Sequence, residues 1–80
     1  MALPDPQLER AIRECIDRLS PTQHRVMMAR IASAGSAPDR DLARGLRMTV
    51  NTFLKNFGRA REHLRDCLRH RGYRVEEVLR

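Results

Sequence analysis

Apolar residues recur three and four positions apart in four stretches, divided by short polar breaks. The first stretch carries Leu8, Ile12, Cys15, Ile16 and Leu19. The second carries Val26, Met27 and Ile31, and the third Leu42, Ala43 and Leu46. The fourth and longest carries Val50, Phe53, Phe57, Ala60, Leu64, Cys67 and Leu68. Such spacing places each set on one face of a helix. No strand-like alternation, repeat or low-complexity run appears. The pattern predicts an all-α fold, a small four-helix domain ending in a helix-turn-helix.

The breaks carry start and stop signals. Asp5 can cap the first helix, with Pro6 in its first turn, where a missing N–H costs little. Ser20-Pro21-Thr22-Gln23 is a restart: a capping serine, a proline at the first helical position and a glutamine for a capping box. The second helix runs to about Ala34 and stops at Gly35. Ser36 to Asp39 is a loop that also begins the short third helix. Arg47-Met48 makes the turn, and Thr49 caps the fourth helix, which ends near Arg71 before Gly72. Residues 1–5 read as an extension, 6–72 as the domain, and 73–80 as a tail with a further turn through Val75, Val78 and Leu79.

Charge changes this from a fold reading to a functional one. The chain carries a formal net charge of +6. Residues 1–39 balance, with five arginines against five acids. Residues 40–80 hold ten arginines and Lys55 against five acids, so all the excess lies with the second helix pair. A second helix with a buried apolar stripe and a cationic outer face suits the DNA major groove. With Val50, Phe53 and Phe57 turned inward, Asn51, Thr52, Leu54, Lys55 and Asn56 fall on or beside the outer face. Asn51 and Asn56 suit adenine, and Leu54 a thymine methyl. Lys55, Arg59 and Arg61 suit phosphates, with a guanine contact left open, and Arg40, Arg44 and Arg47 could grip the backbone from the third helix and the turn. The helix start at Thr49 to Asn51 offers N–H groups to a phosphate.

Three motifs, in order, carry a family resemblance across about residues 8–72. Leu19-Ser20-Pro21-Thr22-Gln23-His24-Arg25-Val26 is the first. Leu42-Ala43 and Leu46 followed by Thr49-Val50-Asn51-Thr52-Phe53 is the second. Arg59-Ala60-Arg61-Glu62-His63-Leu64-Arg65 is the third. Together they resemble region 4 of bacterial RNA polymerase sigma factors of the extracytoplasmic-function group. The resemblance implies recognition of the −35 promoter element in double-stranded DNA, docking on the β flap of the polymerase core, and exposure to an anti-sigma factor. Sigma region 2 is not in this stretch, so the chain alone could not start transcription. The chain departs from the family at Arg47, where a turn glycine is usual, at Leu54, where a polar residue is common, and at Gly58, inside the long helix. Its loop before Leu42 is about two residues longer than usual. These departures keep a second reading open: a helix-turn-helix fold that binds polymerase or an anti-sigma factor without reading DNA. A response-regulator output domain shares the leucine-threonine-proline style of opening, but not the Arg59-Ala60-Arg61 ending.

Other chemistries find little support. No run approaches the ~20 apolar residues of a membrane span, and no signal peptide is visible, so the expected setting is cytoplasmic. Cys15 and Cys67 occupy apolar helix positions and read as reduced, small hydrophobes in a reducing compartment. His63, Cys67 and His70 share a face, but three ligands from one helix seldom close a tetrahedron, so no metal and no cofactor is expected. No orienting acid or oxyanion donor accompanies a Cys–His pair, so neither an enzyme nor a small-molecule substrate is expected. The acids lie singly among arginines, as surface ion pairs do. A domain this small leaves apolar surface uncovered. Leu8, Ile12 and Met28 are the candidate protein-partner face.

Overall fold

The computed structural model describes residues 5–73, and among them it is all-helical. Four helices follow in order: α1 (Pro6–Asp17), α2 (Pro21–Ser33), α3 (Asp39–Gly45) and α4 (Val50–His70). The three capping side chains accept as the sequence predicts, but Gln23 returns no side-chain bond to Ser20 N–H, so the expected capping box is only half formed. Asp5 Oδ1 accepts from Gln7 N–H at 2.9 Å. Ser20 Oγ accepts from Gln23 N–H at 3.3 Å, and Thr49 Oγ1 from Thr52 N–H at 3.1 Å. The expected turn through Val75, Val78 and Leu79 lies outside the described residues.

Two buried clusters hold the helices. The larger joins Ala11, Cys15, Ile16 and Leu19 of the first helix and its exit to Met27 of α2 and Ala60, Leu64 and Leu68 of α4. The smaller joins Val26 of α2, Ala43 of α3 and Phe53 of α4. Phe57 packs against both. α4 is therefore the common wall of the domain.

Two helices end in the same device. At the end of α3, Met48 N–H donates to Ala43 O at 3.0 Å and Arg47 N–H to Arg44 O at 3.0 Å. At the end of α4, Tyr73 N–H donates to Leu68 O and Gly72 N–H to Arg69 O, each at 3.0 Å. This bonding pattern caps the last carbonyls and turns one residue left-handed. Gly72 takes that position at the end of α4 with φ +89°. Arg47 takes it at the end of α3 with φ +58°, against the preference of any residue bearing a Cβ. The apolar contact that accompanies the motif is present at both sites, since Met48 packs on the Ala43 cluster and Tyr73 on the Leu68 cluster.

Three sequence expectations about burial and bonding need correction. Cys15 and Cys67 are not reduced: they form a disulfide between α1 and α4, with Cα atoms 5.8 Å apart. The sequence puts each on an inward stripe but does not say that the stripes meet there. Ile31 is not core but 51% exposed, because α2 faces α3 and α4 through Val26 and Met27. Val50 is 40% exposed, because as the first residue of α4 it opens on a cleft it shares with Arg40 and Arg44 of α3. The end of α2 falls where the sequence puts it, at Ser33 with Ala34 as a left-handed cap (φ +48°) ahead of Gly35.

Candidate nucleic-acid interface

The turn that joins α3 to α4 is fixed at both ends, and this sets the candidate interface. The motif closing α3 orients residues 46–48, and the Thr49 cap starts α4 directly after it. Thr49 also donates its hydroxyl to Thr52 Oγ1 at 2.9 Å, tightening the first turn. Phe53, fully buried, anchors that turn against Val26 and Ala43. An α-helix leaves its first N–H groups without partners inside the helix, so those of Val50 and Asn51 open outward at this end.

Around this opening lies a shallow cleft lined by Arg40 and Arg44 of α3, Arg47 of the turn, and Val50 and Thr52 of α4. The three guanidinium groups make no ion pair with any described residue. The cleft thus combines three uncompensated cations with a helix start, an arrangement suited to a phosphate chain. Asn51, Leu54, Lys55 and Arg59 are exposed along the next turns of α4. Asn51 and Lys55 have no hydrogen-bond or ion-pair partner among the described residues.

The remaining sequence candidates are placed differently. Asn56 donates its side-chain amide to Thr52 O at 2.9 Å and lies half-buried against its own helix. The Thr49 and Thr52 hydroxyls are engaged with each other. Arg61 is exposed and lies over the Phe57 ring at 6.0 Å. Ile12 and Met28 meet in a groove between α1 and α2 together with Ile16 and Ile31. Leu8 is half-buried and not part of that groove.

The chain matches no protein-family model, no curated protein and no solved structure. The geometry and the residues themselves therefore carry the functional argument.

One supporting residue escapes a sequence reading. Arg30 of α2 donates to Asp39 Oδ1 at 2.6 Å, in the first turn of α3. Its guanidinium also sits 4.6 Å from the centroid of Phe57 on α4. One side chain thus ties three helices beneath the cleft, through an ion pair and a cation–π contact. The only signal in the sequence is an arginine next to Ile31 on a helix otherwise ordinary in charge.

At the opposite end of α4, Arg71 pairs with Glu14 of α1. Hydrogen bonding and the charge of Arg71 hold the Glu14 carboxyl below its ordinary pKa. Arg69 pairs with Asp66 at 3.0 Å on the helix surface. His63 and His70 line a cavity beside the disulfide, where Cys67 sulfur is bonded to Cys15 and His70 Nδ1 lies 2.7 Å from Asp66 O.

Proposed function

We propose that this domain reads promoter DNA in the manner of sigma factor region 4, with α4 as the recognition helix. The observation that carries the reading is the cleft at the start of α4. Arg40, Arg44 and Arg47 surround a helix N-terminus whose anchoring phenylalanine is buried beneath it. In this reading the three arginines and the first N–H groups of α4 hold phosphates. Asn51, Leu54 and Lys55 meet base edges, with Arg59 on the flanking backbone. The polymerase β flap, or an anti-sigma factor, docks on the apolar groove of Ile12, Ile16, Met28 and Ile31. No helix among the described residues is long and apolar enough to cross a membrane. A cytoplasmic location fits the proposed partners, DNA and polymerase, while the Cys15–Cys67 disulfide is unusual for a reducing compartment and speaks against it.

Duplex binding measured against salt tests the proposal. A phosphate interface gives log K falling linearly with log salt, with a slope near 0.9 per neutralised phosphate, so several units here. Charge reversal at Lys55 and Arg59 should weaken binding sharply. A second reading, a protein-docking module that retains the helix-turn-helix, draws on the exposed Val50 and Leu54. A folded sample that fails to bind duplex DNA at low salt would leave that second reading standing.

A further inference from the structure

The four large apolar side chains most exposed among the described residues fall into two pairs. Met28 and Ile31 flank the groove between α1 and α2. Val50 and Leu54, 40% and 45% exposed, stand one turn apart on α4. The second pair is unusual for its surroundings. Val50 shares its cleft with Arg40, Arg44 and Arg47. Leu54 lies between the exposed Asn51 and Lys55. A partner that covers this pair must also accept four cations at its rim.

Those two demands select the occupant. A purely apolar partner would strip water from the arginines and Lys55 with no compensating charge. A polyanion satisfies the cations, and among polyanions duplex DNA also offers an apolar group at groove depth. In the major groove that group is the 5-methyl of thymine. Resting on the reading of α4 as the helix that enters the groove, we propose that Val50 and Leu54 form a thymine-methyl reader. Four residues of helix advance about 6 Å, and base pairs are stacked at about 3.4 Å, so the methyls belong to neighbouring or next-neighbouring pairs. Asn51, three residues before Leu54, presents the amide that takes adenine N6 and N7. The pair and the amide together specify A·T-containing steps opposite the first turns of α4. Lysine or arginine at position 54 would instead favour guanine, so this leucine changes which base is read.

The test uses deoxyuridine, which differs from thymidine by that methyl alone. A duplex library with a randomised centre is selected on the whole chain, and the tightest duplex is resynthesised with each thymine singly replaced by deoxyuridine. One or two positions should bind about fourfold more weakly, the equivalent of one buried methyl, while the rest are unchanged. Leu54→Ala and Val50→Ala should each bring the thymidine-to-deoxyuridine ratio to one at the position it reads and leave the salt slope intact. Both side chains are exposed, so the variants should keep the helical circular dichroism of the parent. Equal affinity for every deoxyuridine duplex, or an unchanged ratio in both variants, overturns the methyl reader while DNA binding stands. Absence of any duplex binding overturns the promoter reading and the methyl reader together.

Discussion

Replacing Arg47 should make this domain more stable and weaker on DNA at once. Arg47 occupies the left-handed position of the motif that closes α3, with φ +58°. A residue with a Cβ is disfavoured there by about 1–2 kcal/mol. Glycine removes that strain but adds about 0.5–1 kcal/mol of unfolded-chain entropy, so Arg47→Gly should gain roughly 1 kcal/mol. For a domain of this size that raises the melting temperature by about 4–8 °C. Arg47→Ala separates the two effects, because it loses the charge and keeps the Cβ. Both variants should reduce the salt slope of duplex binding by about one if Arg47 neutralises a phosphate. The converse change is available within the same chain. Gly72 holds the equivalent position on α4 with φ +89°, and an added Cβ there would meet no atom within 4 Å. Gly72→Ala should therefore destabilise by up to about 1 kcal/mol, the backbone strain less the unfolded-chain entropy that alanine removes. Thermal melts and salt-dependent anisotropy read the two quantities independently. An Arg47→Gly protein no more stable than Arg47→Ala would refute the strain argument, and an unchanged salt slope in both would refute the phosphate contact.

Gly58 lies inside α4 with nothing within 4 Å of an added Cβ, so Gly58→Ala should raise stability by about 1 kcal/mol in denaturant titrations. The Cys15–Cys67 bond spans 52 residues of sequence, and in the chain-entropy model its reduction should cost about 4 kcal/mol. Melts with and without a phosphine reductant measure this, and superposed curves would show that the bond contributes nothing. The Glu14 carboxyl is lowered by Arg71, so the pair contributes stability above the ordinary glutamate pKa and loses it as pH falls through the lowered value. Urea midpoints taken from neutral to acid pH should fall less in Glu14→Gln than in the parent, and parallel curves would argue against the coupling.

Local signals were legible because their chemistry is local. Asp5, Ser20 and Thr49 each cap a helix through a bond to a backbone N–H two or three residues on, which needs no knowledge of the fold. Phe53, Ala60, Leu64 and Leu68 could be read as core from their spacing on a long helix. Position 47 could be placed in the turn because it lies between two apolar stripes, and only the family resemblance, with its usual turn glycine, marked it as left-handed. What failed depends on which stripes meet, and at what register. Ile31 belongs to the α2 stripe by spacing, yet no helix covers it. Val50 fits the α4 stripe, yet it lines the open cleft beside Arg40 and Arg44 of α3 and stays exposed. The disulfide needs Cys15 and Cys67 at the same height on two helices remote in sequence. Arg30 gains its role only when Asp39 and Phe57 arrive on either side of it. Within the candidate interface, the sequence marks Arg40, Arg44, Arg47, Thr49 and Thr52 of the cleft, but it reads Val50 as core and misses the engagement of Asn56 with its own helix.

The division of the core gives α4 two unlike halves. Its first turns rest on the small cluster of Val26, Ala43 and Phe53, supported by a short α3. Its later turns rest on the larger cluster and are fastened to α1 by the disulfide and by Glu14–Arg71. From Val50 to Cys67 the helix advances about 25 Å, so the covalent tie lies far from the candidate interface. The end that would meet DNA is therefore oriented as much by the remote anchorage of a rod as by its own modest packing. Phe57, shared by both clusters and covered by Arg30, joins the two halves. Gly58 follows it directly, which puts the weakest helix former of α4 at the junction between the anchored half and the half that carries the candidate interface. Whether α4 transmits its anchorage to the cleft thus depends on the straightness of one turn, and the Arg30–Phe57–Asp39 contacts are what brace that turn from outside.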